Sequence, residues 1–271
     1  MRILDRKPLP AALLVVAAAT CALSVLLAGY MGITRQLAVI KPHLAAIKSP
    51  SGSSTNFIPP LFGASYVDIR KHLILHEIQQ ADKEFILIVG DSIIEDLDMP
   101  SLGGLPVITA GIGGGGVRDV MELVEKVPVG KSIKGIVIAI GVNDTPHGTT
   151  PPDYFDNWSA AFKKTICDAK LLAGNQVAVS TIIPVESGKP MGDRYFDPEK
   201  IKEINRHVRD IARETNTHLI DHDASFANLM SAGIEYTTDG VHLNNAGYRL
   251  MKENLRNAAK ENFALRQWAE H

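Results

Sequence analysis

The sequence has few cysteines, few aromatic residues and no large excess of either charge. Its 271 residues include two cysteines, Cys21 and Cys167, which excludes a disulfide framework and gives no sign of a thiolate metal site. Aromatic residues make up 6% of the chain, and the formal net charge is −2. With 45% hydrophobic and 21% charged residues, the chain is too apolar to be disordered and has the composition of a globular protein.

Charge is unevenly distributed along the chain. Residues 1–50 hold six Lys or Arg residues and one acidic residue, whereas residues 51–271 hold 22 basic and 29 acidic residues. A mildly acidic body does not suit a polyanionic partner, because phosphate recognition needs clustered positive charge. We therefore predict no binding to DNA or RNA.

A long apolar run near the start of the chain indicates a membrane segment. Residues 8–34 contain no Asp, Glu, Lys or Arg. A helix over residues 10–33 would rise about 36 Å, enough to cross a hydrocarbon core of about 30 Å. A cleavable signal peptide is the alternative, but its apolar region would span only about 7–15 residues. We predict a tail and transmembrane anchor over residues 1–34, with the body on the extracytoplasmic (periplasmic) side of the cytoplasmic membrane, because a short basic tail usually stays in the cytoplasm.

The remainder divides into a linker and one domain. Residues 35–62 form a juxtamembrane segment and a Ser/Pro-rich linker, and residues 63–271 suit a single domain. Apolar runs typical of strands buried on both faces of a parallel sheet occur at 85–89, 106–110, 135–140, 176–183 and 218–221. Helical patterns occur near 64–81, 117–126, 154–172, 198–214 and 245–263. This alternation predicts an α/β fold, a three-layer α/β/α sandwich.

Four short segments carry side chains suited to acyl transfer. They are Gly90-Asp91-Ser92-Ile93, the run Gly111-Ile112-Gly113-Gly114-Gly115-Gly116, Gly141-Val142-Asn143-Asp144 and Asp239-Gly240-Val241-His242. In order, they offer a hydroxyl nucleophile, a backbone amide donor, a side-chain amide donor and a base with a carboxylate, which ester cleavage requires. Each follows a predicted strand. Because open α/β sheets bind ligands beyond the carboxyl ends of their strands, we expect the four segments to converge.

Ser92 is the candidate nucleophile, with a helix N-cap as its alternative role. Ile94 occupies the place of the second glycine of a G-x-S-x-G elbow, which argues against a conventional α/β-hydrolase. His242 and Asp239 lie three residues apart, so the carboxylate can reach the imidazole Nδ1 and leave Nε2 to accept the serine proton. The alternative for this pair is a turn that leads into a helix cap.

The glycine run matches G-x-G-x-x-G, so a dinucleotide site is an alternative interpretation. Such a site is usually completed by an acidic residue about 20 residues later, at the end of the next strand. The predicted strand there, Ile136–Ile140, has no acidic residue. Glycines equally allow a bare N–H to approach an oxyanion, to which the side chain of Asn143 and the backbone of Ser92 would also donate. We therefore predict no cofactor and no metal.

Together the four segments resemble the sequence blocks of the SGNH hydrolases, also called the GDSL esterase/lipase family, over residues from about 85 to 255. The resemblance implies a flavodoxin-like fold with five parallel strands and cofactor-free hydrolysis of carboxylic esters or thioesters. It implies Ser92 as nucleophile, His242 as base and Asp239 as the residue that orients it. Ser92, Gly114 and Asn143 would be the oxyanion donors.

Two features depart from the family pattern. Thr109 stands where many members have Asn before the glycine block. Four consecutive glycines also leave the donor position open, with Gly113 and Gly115 as alternatives to Gly114.

The expected function is that of a membrane-anchored serine esterase for O-acetyl or other short acyl esters, carbohydrate esters included. The mixed, polar stretch from Pro184 to Pro198 is expected to wall the substrate pocket, and its polarity favours a carbohydrate ester over a long-chain lipid. Two alternatives stay open: an O-acetyltransferase that acts on surface polysaccharide with the same triad, and a non-catalytic tethered binding module.

Overall fold

A six-stranded sheet lies at the centre of the computed structural model, which describes residues 65–262. The strands are β1 (Phe85–Gly90), β2 (Ser101–Leu102), β3 (Leu105–Gly111), β4 (Ile133–Ala139), β5 (Val177–Ser180) and β6 (His218–Ile220). Their order is β2-β3-β1-β4-β5-β6, and every pair is parallel except the antiparallel pair of β2 and β3. The five predicted parallel strands are confirmed, and the short strand β2 was not predicted.

Eight α-helices accompany the strands in residues 65–262. They are α1 (Tyr66–Gln80), α2 (Ser92–Glu95), α3 (Val117–Glu125), α4 (Tyr154–Ala173), α5 (Gly192–Tyr195), α6 (Pro198–Glu214), α7 (His222–Ser231) and α8 (Asn245–Asn262). A 3₁₀ turn, Val142–Asp144, follows β4. Helix starts follow local sequence: Ser65 and Asp68 form a capping box for α1. Asp197 caps α6, with proline at its first position.

Strand β1 shows why the fold has three layers. Phe85, Leu87 and Val89 pack in a core with residues of α1, α3, α4 and α6. Ile86 and Ile88 pack in a second core with residues of α7 and α8. Because successive strand side chains point to opposite faces, a strand buried along its whole length needs helices on both sides of the sheet.

Helix α7 and strand β5 depart from the prediction. Helix α7 was not predicted, because only His222 and Phe226 of its ten residues are buried and the apolar period is weak. Strand β5 ends at Ser180 rather than at residue 183. Beyond it, the Ile182 N–H donates to Asn205 Oδ1 at 2.7 Å, and Asn205 Nδ2 donates to the Ile182 carbonyl at 3.0 Å. A side chain of α6 thus takes the place of a neighbouring strand.

The predicted anchor over residues 1–34 and linker over residues 35–62 lie outside the described residues. Within residues 65–262, no helix combines the length and the apolar character needed to span a membrane. The anchor and the domain boundaries stay predictions.

The pairing of Asn205 with the backbone of Ile182 is open to a direct test. Asn205→Ala leaves a buried N–H and a buried carbonyl without partners, and each lost partner costs about 1–3 kcal/mol. We expect the free energy of unfolding to fall by roughly 2–4 kcal/mol in urea titrations. Asn257→Ala, at an exposed position of α8, is the matched control and should change stability little. Equal stability of the two variants would contradict this role.

Candidate active site

Ser92, His242 and Asp239 lie in one hydrogen-bonded row. Ser92 Oγ is 3.0 Å from His242 Nε2, and His242 Nδ1 is 2.7 Å from Asp239 Oδ2. All three residues are partly buried, so they are sheltered by the protein and still open to solvent. The structure therefore brings together the predicted hydroxyl, imidazole and carboxylate, although 150 positions separate the first two in sequence.

Ser92 stands where the central strand β1 turns into the short helix α2. The N-cap of α2 is Asp91, whose side chain accepts a hydrogen bond of 3.0 Å from the Ile93 N–H. Ser92 is the first residue of the helix and not its cap. The Ser92 backbone N–H has no hydrogen-bond partner within residues 65–262, as is usual for the first turn of a helix.

Asp239 organises the loop that carries His242. Its Oδ1 accepts hydrogen bonds from the Val241 N–H at 3.0 Å and the His242 N–H at 2.8 Å, while Oδ2 faces the imidazole. Burial opposes ionisation of Asp239, but hydrogen bonds from the His242 side chain and these backbone groups outweigh it and hold its pKa below the ordinary value. Asp239 is therefore a carboxylate at neutral pH.

The sequence suggested that the Asp239–His242 pair follows directly on strand β6, but in the structure it does not. Helix α7 intervenes, and the pair lies in the loop between α7 and α8. The loop is consequently not placed by a strand end, and other contacts must hold it over the sheet edge.

The structure distinguishes the three candidate glycines by their amide groups. The Gly113 N–H donates to Glu95 Oε2 at 2.7 Å, and the Gly115 N–H donates to the Ile112 carbonyl at 2.9 Å. The N–H of Gly114 has no partner within the described residues, and Gly114 is exposed with a φ of 72°. Residues other than glycine rarely adopt that backbone conformation, which accounts for glycine at this position.

Asn143 lies on the 3₁₀ turn after β4 and faces the glycine run. Its Nδ2 donates to the Gly115 carbonyl at 2.9 Å, so one amide hydrogen fixes the side chain and a second stays available. The next residue, Asp144, accepts a hydrogen bond of 2.9 Å from the Val117 N–H at the start of α3. These two contacts join the loop after β4 to the loop after β3.

Glu95 is a residue of this region that the sequence analysis missed. Besides the Gly113 N–H, it accepts a hydrogen bond from the Tyr66 hydroxyl and pairs with Arg70 Nε at 3.1 Å. Arg70 Nε also donates to the Gly111 carbonyl at 2.8 Å. Glu95 and Arg70 thereby tie helix α1 to the glycine run. The signal in sequence was slight: an acidic residue three positions after Ser92.

Two carboxylic acids beside the site have raised pKa values. Burial raises the pKa of Asp91 to about 7, against the stabilising hydrogen bond from the Ile93 N–H and with a further contribution from Asp144. Burial likewise raises the pKa of Asp144 to about 6, against the hydrogen bond from the Val117 N–H. Near neutral pH both acids are therefore close to their titration range.

The described residues offer no group of three or more His, Cys, Asp or Glu side chains arranged to hold a metal ion. What the arrangement provides is a hydroxyl next to an imidazole, with N–H groups of Ser92, Gly114 and Asn143 on neighbouring loops. Such an arrangement suits acyl transfer through an oxyanion.

The comparisons with known proteins define the class. Residues 88–250, more than half of the chain, match the GDSL-like Lipase/Acylhydrolase family. The chain belongs to this family and is a carboxylic ester hydrolase of the GDSL (SGNH) type. No curated protein matches it.

Solved structures share the fold at low sequence identity. A lipase/acylhydrolase from Enterococcus faecalis is 20% identical with a TM-score of 0.52, covering 66% of this chain and 96% of its own. The acetylxylan esterase Axe2 from Geobacillus stearothermophilus is 21% identical with a TM-score of 0.51, covering 68% and 95%. The acetyl xylan esterase AlAXEase is 22% identical with a TM-score of 0.53, covering 64% and 98%.

The raised pKa of the buried Asp91 predicts that the free energy of unfolding depends on pH. Its pKa rises from 3.8 to about 7 on folding, so the folded protein holds this proton more tightly than the unfolded chain does. Stability is therefore lost as the pH rises from 3.8 to about 7. Asp91→Asn stays neutral and can still accept from the Ile93 N–H. Its free energy of unfolding, relative to wild type, should increase by about 3 kcal/mol between pH 4.5 and 8 in urea titrations.

The exposed Asp98→Asn is the control for this measurement and should show no such trend. A difference between Asp91→Asn and wild type that stays constant with pH would contradict a raised pKa for Asp91.

Proposed function

We propose that Ser92, His242 and Asp239 form a catalytic triad that hydrolyses short acyl esters. The observation that carries the proposal is the row of contacts of 3.0 Å from Ser92 Oγ to His242 Nε2 and 2.7 Å from His242 Nδ1 to Asp239 Oδ2. An ionised Asp239 accepts a hydrogen bond from the Nδ1–H of His242 and so leaves the Nε2 lone pair free for the serine proton.

In the proposed first step, Ser92 Oγ attacks the acyl carbon while its proton passes to His242 Nε2. The carbonyl π electrons move to oxygen and form a tetrahedral oxyanion. When the intermediate collapses, the bond to the alcohol oxygen breaks, and His242 gives its proton to that oxygen. Water, deprotonated by His242, then attacks the acyl-serine and forms a second tetrahedral intermediate. Its collapse breaks the bond to Ser92 Oγ, His242 returns the proton to that oxygen, and the acid is released.

The oxyanion is proposed to sit among the Ser92 N–H, the Gly114 N–H and the side chain of Asn143. The two backbone groups have no partner among the described residues, and Asn143 has a second amide hydrogen. Gly113 and Gly115 are less suited, because their N–H groups are already bonded to Glu95 and Ile112. This selects Gly114 from the three candidates.

The decisive experiment uses the full chain and 4-nitrophenyl acetate. Ser92→Ala should lower kcat/KM by at least about 10⁴-fold, because alanine has no hydroxyl to attack the acyl carbon. Asn143→Ala removes one oxyanion donor and should lower kcat by about 10²–10³-fold. Ser132→Ala, at an exposed position, is the matched control and should keep the wild-type rate.

Full activity in Ser92→Ala would refute the triad. A wild-type chain that shows no hydrolytic activity, and whose Ser92 is not labelled covalently by a fluorophosphonate, would point instead to the non-catalytic binding module.

For the substrate, we infer a short acyl ester of a polyhydroxylated alcohol. A cavity of about 320 Å³ has a lining that includes Gly116, Arg118, Asp144, Asn157 and Trp158, and Asp144 directly follows the proposed oxyanion donor Asn143 in the chain. Polar side chains that bind hydroxyl groups, together with an aromatic ring, suit a carbohydrate. Two of the similar structures are acetylxylan esterases by name, which fits the same inference.

Hydrolysis and acyl transfer differ in the final acceptor, so product analysis separates them. With an acetylated xylan oligosaccharide as donor and an unacetylated glycan as acceptor, we expect free acetate as the main product in mass spectrometry. Acetylated acceptor in excess over acetate would favour the O-acetyltransferase instead. Ser92→Ala controls for spontaneous hydrolysis and should yield neither product.

We further propose that residues 1–34 anchor this domain to the cytoplasmic membrane, with the domain on the extracytoplasmic side. The support is the uncharged apolar run over residues 10–33. Release of the full chain from membranes by alkaline extraction would count against the anchor.

A further inference from the structure

Glu186 links the chain after strand β5 to the loop that carries His242. We name residues 186–192 the clamp segment and residues 236–242 the acid–base loop. The Glu186 carboxylate, 13% exposed, accepts hydrogen bonds from the Tyr236 N–H at 3.2 Å and the Thr237 N–H at 2.9 Å. The Thr237 hydroxyl donates to the same carboxylate. The Glu186 side chain thus accepts three hydrogen bonds from donors at the start of the acid–base loop.

Lys189, in the middle of the clamp segment, completes this contact. Its Nζ is 2.9 Å from Glu186 Oε2 and donates to the Thr237 carbonyl at 2.7 Å. Glu186 and Lys189 therefore hold both the N–H and the carbonyl of Thr237. The ion pair is mostly shielded from solvent, with side-chain exposures of 13% and 17%, which makes it less screened than a surface pair.

The two segments also touch backbone to backbone. The Glu186 N–H donates to the Gly240 carbonyl at 2.9 Å, and the Met191 N–H donates to the Asp239 carbonyl at 2.7 Å. Gly240 has a φ of 106°, and a Cβ there would lie 2.5 Å from the Gly192 nitrogen. Only glycine allows this approach. The hydrogen bond from Met191 is thus made to Asp239, the residue whose carboxylate faces His242.

A continuous chain of hydrogen bonds leads from Glu186 into the acid–base loop. The Thr237 hydroxyl donates to Glu186 and accepts from the Gly240 N–H at 3.0 Å. Burial opposes ionisation of Glu186, but the hydrogen bonds from Thr237 and Lys189 outweigh it and keep its pKa below the ordinary value. The carboxylate is therefore charged at the pH at which an imidazole base works.

We infer that Glu186, supported by Lys189, is a positioning residue that sets the backbone of the acid–base loop so that Asp239 and His242 meet Ser92. The inference rests on the proposed triad. All the described contacts of the Glu186 carboxylate are to protein donors, so it acts through the loop and not on the substrate. Helix α7 separates the loop from strand β6, and the clamp segment supplies the anchorage that a strand end would otherwise give.

The test is Glu186→Gln in the full chain. Its amide nitrogen cannot accept a hydrogen bond, so at least one loop contact is lost while side-chain volume is kept. We expect kcat for 4-nitrophenyl acetate to fall by roughly tenfold to a hundredfold, the scale of a misplaced catalytic group, with KM nearly unchanged. The downfield proton resonance of the His242 Nδ1–H, which reports its bond to Asp239, should broaden or shift.

Matched variants separate positioning from general stability. Glu235 also pairs with Lys189, at 3.4 Å, but its side chain is 77% exposed, so Glu235→Gln should behave as wild type. Lys189→Met should lower kcat, and Lys189→Arg should restore most of it by keeping a donor to Glu186. The measurements on Glu186→Gln are made well below its Tm. If this variant keeps the wild-type kcat and the wild-type His242 resonance while Ser92→Ala is inactive, the positioning role is overturned. Activity in Ser92→Ala would instead refute the triad itself.

Discussion

The contact of 3.0 Å between Ser92 Oγ and His242 Nε2 is the interaction on which the site depends, and its two ends are supported in different ways. Ser92 follows the central strand β1, which is buried along its whole length, so its position is set by the sheet. His242 comes from a loop, and a loop must be ordered at a cost of about 1–2 kcal/mol per residue in backbone entropy. Hydrogen bonds from the His242 and Thr237 N–H groups to the carboxylates of Asp239 and Glu186 supply that order.

The glycine run meets two opposing demands. Its backbone must be held in place, and the proposed mechanism also needs it to leave an N–H free to face a developing negative charge. Glu95 and Ile112 satisfy the amides on either side, while the amide of Gly114 has no partner in the described part of the chain and lies at an exposed position where water can solvate it. The cost of an unpaired amide is small there, because the desolvation penalty applies to buried groups.

Particular elements show how far the sequence predicted this structure. Strand β1 and helix α3 were predicted because each has an unbroken apolar pattern of the right period, as with Val117, Val120 and Val124. Strand β2 has two residues and helix α7 has little apolar period, so neither left a readable pattern. The candidates Ser92, Asp239 and His242 were predicted by residue type and spacing, and the structure places them in contact.

Glu186 shows where such reasoning ends. The stretch from Pro184 to Pro198 was expected to wall the substrate pocket. Within it, the carboxylate of Glu186 contacts the backbone of Tyr236 and Thr237, which was not expected. Nothing in the local pattern around an acidic loop residue names a partner 50 positions away. The choice of Gly114 has the same origin, because four adjacent glycines are equivalent in sequence and differ only in which amides the fold has paired.

The sequence by itself determined the α/β class, the parallel sheet and the chemical groups of the site, because strand and helix periods and reactive side chains are local properties. Tertiary structure alone decided which amide of the glycine run stays free within residues 65–262, that helix α7 separates strand β6 from the acid–base loop, and that Glu186 and Lys189 hold this loop. Those outcomes depend on hydrogen bonds between distant segments, whose partners are chosen by the packing of the whole domain and not by neighbours along the chain.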